Sequence, residues 1–147
     1  VYGKALVAKR VVVNLLVEQA LKREPITIYG TGEQVRNFVH VWDTAKAYQL
    51  AIERGARGIY NVAGEETISV RTLVDIVNST SQQLLGHAVP VETKPERGAG
   101  NREVQSTSFT VDMERIKRDL GFQPEYTIER TVRELMSEEA LETIPHM

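Results

Sequence analysis

Apolar positions along this chain switch between a period of two and a period near 3.6, so short strands and amphipathic helices are expected to alternate. Residues 10–23 predict a helix: Val13, Val17 and Leu21 recur at four-residue spacing, with Val12, Leu16 and Ala20 beside them. Lys22 and Arg23 suit its negative end, and Pro25 stops it. Residues 26–30 and 34–41 then read as two strands, joined into a hairpin by the Gly30-Thr31-Gly32 turn. In the second, Val35, Asn37, Val39 and Val41 face one way and Arg36, Phe38 and His40 the other. Asp43 suits an N-cap for a helix to about residue 53, with Gly55 past its end.

Residues 58–63 (GIYNVA) form a further β-like run. Ser69 caps the next predicted helix, whose Val70, Leu73, Val74 and Val77 carry the spacing of a buried stripe, and Gly86 ends it. A short strand over 89–93 and a polar, glycine-containing loop over 94–105 follow. Asp112 caps a short helix bearing Met113, Ile116 and Leu120, closed by Gly121. Thr127 caps the last helix, where Ile128, Val132, Leu135 and Met136 share a face, and residues 143–147 are expected to fray. The pattern predicts a mixed α/β chain of short strands and about five helices, without a complete parallel sheet.

Bulk properties narrow the function classes. At 147 residues there is room for one domain with a real core. A net charge of -2 gives no footing for binding nucleic acid through phosphates. Basic residues lead in the first third and acids in the tail, where a solvated helical face accounts for them. The chain has no cysteine, which removes disulfides, thiolate nucleophiles and cysteine-based zinc sites together, and cytoplasm is the expected compartment. Apolar runs fall far short of the ~20 residues that span a bilayer, so no membrane partner is expected. The chain begins at Val1 rather than methionine, and processing or truncation is expected to have made that end.

The usual machinery of hydride chemistry is missing from the pattern. A dinucleotide cradle needs a glycine-rich turn between a strand and a helix, so that backbone amides reach the pyrophosphate. Gly30-Thr31-Gly32 precedes a predicted strand, and Gly98-Ala99-Gly100 lies in the polar loop. None of the five tyrosines has a lysine four residues on to lower its pKa. The three histidines show no ligand spacing, so no metal site is expected.

The most specific segment is PITIYGTGEQVRNFVHVWDTAKAY, residues 25–48. It resembles the extended short-chain dehydrogenase/reductase family, the NAD(P)-dependent, UDP-glucose 4-epimerase-like epimerases and dehydratases of nucleotide-diphosphate sugars. That family carries a strand ending in Tyr-Gly, a turn, then Gln-x-Arg-Asp with an aromatic after it, and a helix opening with aspartate. Val1-Tyr2-Gly3 is similar to its N-V-Y-G-P strand end, Gly58-Ile59-Tyr60-Asn61-Val62 to its Y-N strand, and residues 112–121 (DMERIKRDLG) to its lysine- and leucine-bearing helix before a glycine. The order and spacing agree from Val1 to about Met136.

The resemblance implies a fold: residues 1–147 as a single substrate-binding domain, the carboxy-terminal part of a Rossmann-type enzyme. It also implies ligand contacts. Arg36 falls where the family grips the diphosphate, and a planar guanidinium can hold two phosphate oxygens; an exposed strand arginine, or one paired with Asp43, is the alternative. Tyr29 matches the aromatic set against the base, or else is a half-buried strand tyrosine. Thr27 on the same face would offer backbone contacts. Arg10 and Val11 match a helix start that meets phosphates, although Arg10 also fits a helix-start cation in water. Asn61 matches the nucleotide-contacting asparagine, or bonds its own backbone. Either Arg97 or Arg102 could serve in the rearranged loop ERGAGNRE, with Arg102 the candidate carried forward.

Departures from the family's pattern are Lys4 for proline, Thr31 in the turn, Asn37 for the aspartate after the arginine, and Trp42 before Asp43. The implied whole enzyme binds NAD or NADP, with no cofactor expected on this chain alone, and no catalytic residue is assigned to it. Its partners would be a UDP- or dTDP-linked sugar, an amino-terminal cofactor lobe and a second copy in a homo-oligomer such as a dimer. A stand-alone, non-catalytic nucleotide-sugar-binding or interaction module is the alternative, and a structural oligomerisation domain a third. If the strands at Tyr2 and Tyr60 belong to a sheet built elsewhere, the isolated chain should self-associate, exchange chains or repack.

Overall fold

The computed structural model of the chain describes residues 1–3, 11–95 and 110–142, with side chains through residue 137. Most of the expected polar loop, from residue 96 on, and the tail at 143–147 lie outside the described residues.

Helix α1 (Val12–Leu21) buries Val13, Leu16, Val17 and Ala20, the stripe its spacing predicts. It ends in a Schellman turn: Arg23 takes a left-handed φ of 58°, and Glu24 N–H donates to the Gln19 carbonyl at 2.9 Å. Strand β1 (Ile26–Tyr29) follows, with Ile26 and Ile28 buried and Thr27 and Tyr29 on the opposite face.

The expected hairpin does not form. Gly30 and Gly32 both take positive φ, 74° and 76°, and carry the chain away from β1. Gly32 C=O accepts Arg71 N–H and Gln34 C=O accepts Val70 N–H, which holds the turn against the start of the helix at residue 70. Strand β2 (Val35–Asn37) therefore pairs antiparallel with β3 (Thr67–Ser69), with Arg36 opposite Ile68. β1 pairs in parallel with β4 (Val91–Lys94), from Ile26 opposite Val91 to Tyr29 opposite Lys94. Each strand found a distant partner because burying Ile26 and Ile28 under the helices outweighs closing a local turn.

After Asn37 the chain stays extended, and Tyr2 brackets it: Tyr2 N–H donates to Val39 C=O, and Val41 N–H to Tyr2 C=O. Helix α2 (Val41–Glu53) starts two residues before the predicted cap. His40 is its N-cap, with Nδ1 accepting Trp42 N–H at 3.3 Å. Asp43 is instead buried and accepts Glu125 N–H at 2.9 Å and Tyr126 N–H at 3.2 Å, so its carboxylate ties down a distant segment rather than its own helix. Residues 58–63 form no strand; Tyr60 and Val62 pack on α2 and α4 instead, while Ile59 is 82% exposed.

Helix α3 (Val70–Leu85) is capped as predicted, Ser69 Oγ accepting Thr72 N–H at 3.0 Å, and Gly86 closes it at φ 74°. Helix α4 (Glu114–Leu120) has Met113, not Asp112, as its N-cap residue; the Asp112 carboxylate, one residue further out, still accepts Glu114 N–H at 2.8 Å. Helix α5 (Ile128–Glu142) is capped by Thr127, and Glu66 reaches in to accept Ile128 N–H at 3.2 Å.

Two apolar clusters result. The larger gathers α1, α3, α5 and β1 around Leu73, Val77, Val132 and Met136, with Tyr2 and Phe38 at its edge. At about 1.5–3 kcal/mol per fully buried aliphatic side chain, it is the main source of stability. The smaller lies between α2 and α4 and comprises Ala47, Ile116, Leu120 and Phe122. Among the described residues no helix is long and apolar enough to cross a membrane.

Candidate functional site

Thr27 and Tyr29 share the face of β1 turned away from the larger cluster. Tyr29 ends the strand with its ring 37% exposed, beside the Gly30 turn. Such a ring can stack on a flat, apolar ligand face. Val11 is the N-cap residue of α1, in an extended conformation, and no side chain caps the helix there. Among the described residues no side-chain acceptor meets the first-turn amides of α1, which suits a helix start that meets an anion. Arg10, Arg97 and Arg102 lie outside the described residues.

Arg36 is exposed at the middle of β2, and its Nη1 donates to Val35 C=O at 2.9 Å. Asp43, its alternative partner from the sequence, has both carboxylate oxygens on the backbone amides of Glu125 and Tyr126. The next residue, Asn37, bonds across to Gly64 through both ends of its amide. Asn61 is exposed and donates from Nδ2 to Asp112 C=O at 2.9 Å, not to its own backbone. It therefore belongs to the α2–α4 side, whereas Thr27, Tyr29 and Val11 belong to the larger cluster. Arg36 stands between the two groups in the chain, tied towards Asn61 by the Asn37–Gly64 contact.

The junction of the two clusters is aromatic. His40 stacks on Tyr126 with centroids 4.0 Å apart, meets Tyr2 edge-on at 5.2 Å, and Arg130 lies over the outer face of Tyr126 at 4.4 Å. Burial holds the His40 pKa below its usual value, against the opposing pull of Asp43. Burial likewise pushes the Tyr2 hydroxyl up to about 12. That hydroxyl is buried, and the Thr131 hydroxyl, which donates to Thr127 C=O at 3.0 Å and keeps its lone pairs to accept, is the side chain that tempers the rise. Sequence reasoning missed this junction. Its signal was His40 on the same predicted face as Phe38.

A cleft of about 260 Å³ opens between α2, α4 and residues 60–62, lined by Ala47, Tyr48, Ala51, Tyr60, Ile116 and Leu120 among others. None of the described candidate contacts lines it, and its apolar walls suit a hydrocarbon side chain better than a diphosphate. Beside it, Val41, Ala45, Tyr48 and Ile52 run along the exposed face of α2. Tyr48 is 70% and Ile52 81% exposed. The described residues do not make a dinucleotide cradle either, because the Gly30–Gly32 turn leads into β2 and not into a helix.

The family model described as GDP-mannose 4,6 dehydratase matches residues 2–135. The dTDP-glucose 4,6-dehydratase of Xanthomonas campestris pv. campestris is 29% identical over 125 residues, which is 82% of this chain and 35% of that protein. The structure of UDP-glucose 4-epimerase from Thermotoga maritima with UDP-glucose aligns at a TM-score of 0.70 and 26% identity, over 91% of this chain and 40% of that one. UDP-glucuronic acid 4-epimerase from Bacillus cereus, in complex with NAD, shares the fold at a TM-score of 0.71 and 18% identity, over 94% of this chain and 42% of its own. The chain thus spans about a third of the curated relative's length and about two fifths of the solved ones. Its strand pairings, helices and matched residues place it in one family: the chain belongs to the extended short-chain dehydrogenase/reductase family of nucleotide-sugar epimerases and dehydratases.

Proposed function

We propose that this chain is the nucleotide-diphosphate-sugar-binding half of an NAD(P)-dependent epimerase or dehydratase, and that it is not catalytic by itself. Arg36 carries the reading: its guanidinium is exposed on the middle residue of a strand whose next residue is fastened across to Gly64. A diphosphate held there gains charge-assisted hydrogen bonds worth about 1.5–3 kcal/mol. Tyr29 stacks on the base, Thr27 offers backbone contacts, and the start of α1 at Val11 meets a phosphate. Asn61, Arg10 and Arg102 complete the set by resemblance. NAD or NADP would be held by a separate amino-terminal lobe, which supplies the hydride chemistry, and the working enzyme is a cytoplasmic homo-oligomer. The exposed apolar face of α2 supports docking to such a lobe, since Tyr48 and Ile52 would leave water on contact.

Amide resonances of the chain, titrated with UDP-glucose and with dTDP-glucose, test the reading. Shifts near Tyr29, Arg36 and Asn61 that vanish in Arg36→Ala are expected. Binding that Arg36→Ala leaves intact would refute the role of Arg36. A second reading, a stand-alone non-catalytic module, draws support from the larger cluster, which α1, α3 and α5 close among themselves. A concentration-independent monomer that binds sugar nucleotide without any second lobe would favour it.

A further inference from the structure

Asn37 stands where the family resemblance expects aspartate, and its side chain uses the one thing an aspartate lacks. Its Nδ2 donates to Gly64 C=O at 2.8 Å and to Glu66 C=O at 3.2 Å, while its Oδ1 accepts Gly64 N–H at 2.9 Å. A longer approach of 3.4 Å reaches the Thr67 hydroxyl. The fixed polarity of the Gly64 backbone decides which end of the amide is which. Gly64 is itself pressed against the strand: a Cβ there would lie 1.8 Å from the Phe38 carbonyl oxygen. No residue but glycine fits so close a backbone approach.

The clasp joins two candidate contacts that belong to different parts of the molecule. Arg36 precedes Asn37 on β2, and Asn61 precedes Gly64 by three residues on the segment that packs against α2 and α4. We propose that Asn37 is a positioning residue which, through Gly64, sets Arg36 and Asn61 at a fixed separation for the diphosphate and nucleotide of one ligand. The ligand half of this statement rests on the reading of Arg36 and Asn61 given above. The chemistry requires an amide, because donor and acceptor must sit on one planar group. A carboxylate would accept from Gly64 N–H but would turn its charge on two carbonyl oxygens. Only when protonated would it regain a donor.

The test compares Asn37→Asp and Asn37→Ser with the parent chain by amide spectra, at neutral and at acid pH, and by titration with UDP-glucose. In Asn37→Asp at neutral pH the amides of Gly64, Arg36 and Asn61 should all shift, and affinity should fall about tenfold, the loss of roughly one well-placed hydrogen bond. Acidification should reverse part of both changes, because a carboxyl facing carbonyl oxygens titrates above the ordinary aspartate value of about 3.9. Asn37→Ser is small enough to keep the fold, and should give the same three shifts without the reversal. It decides the matter if the aspartate variant does not fold at neutral pH. Shifts confined to residues 37 and 64, with Arg36 and Asn61 unmoved in the folded variants, would overturn the proposal. Movement of all three, with Arg36→Ala leaving UDP-glucose binding intact, would uphold the clasp and sink the ligand reading instead.

Discussion

The larger cluster and the smaller one differ in what closes them. Around Leu73 and Val77, the helices α1, α3 and α5 cover one another on several sides, and β1 fills the remaining one. Around Phe122, the described residues that pack are those of α2 and α4 with Ala56, Tyr60, Val62 and Met113, and an apolar cleft and the exposed stripe of α2 lie beside them. Among the described residues, the first region is enclosed by its own helices, while the second leaves an apolar cleft exposed. The two regions should therefore differ in local stability, and a perturbation should reveal which one it strikes.

Cavity-making substitutions give the sharpest test. Phe122→Ala removes a fully buried ring and should cost about 3–5 kcal/mol locally. Hydrogen exchange should then show lost protection at Leu50 and Ala51 while α1 and α3 keep theirs. Leu73→Ala, at about 2–5 kcal/mol, should instead lower protection throughout. Equal loss in α3 from both variants would mean that the two clusters unfold as one unit.

Acid should act at the seam. His40 has a pKa below its ordinary 6.5 in the folded chain, chiefly because it is buried. The unfolded chain therefore takes up the proton first as pH falls. The stability His40 contributes is complete above 6.5 and is lost as pH drops towards the folded pKa. Thermal melts from pH 8 to 5 should show a falling midpoint, flattened in His40→Asn, which keeps a capping acceptor without titrating there. An unchanged slope in that variant would assign the acid sensitivity to another group.

The smallest effect lies at the end of α1. Arg23 holds a left-handed conformation that costs an L-residue roughly 1–2 kcal/mol, and Arg23→Gly relieves it. The greater freedom of glycine in the unfolded chain offsets part of the gain, so a few tenths to about 1 kcal/mol should remain. Denaturant melts would read it, and a loss of stability would mean that the arginine side chain contributes more than its backbone costs.

Much of the helical pattern was legible because it is local. The stripes of α1, α3 and α5, the caps at Ser69 and Thr127 and the bond of Asp112 to the first amide of α4 follow from spacing and from side chains that bond their own neighbours. What escaped was set at long range. The β1–β4 and β2–β3 pairings join residues far apart in sequence, so the turn at Gly30 looked like a hairpin from either side. Asp43 has the local signature of a cap, yet its carboxylate is used by residues 125 and 126. In the candidate site, Arg36 and Tyr29 could be picked out by motif. The clasp of Asn37 on Gly64 could not, because the two adjoin only in the folded chain.

The placement of Trp42 has a practical consequence. It is the single tryptophan of the sequence, in the first turn of α2, with its backbone amide bonded to His40 and its side chain 64% exposed. Fluorescence of this tryptophan, excited at wavelengths where the five tyrosines do not absorb, is therefore a local gauge. Its emission starts near that of a solvated indole and reports on the open region, while the enclosed one stays dark to it. A blue shift on adding a second polypeptide would mark the docking of α2 directly, with no label attached.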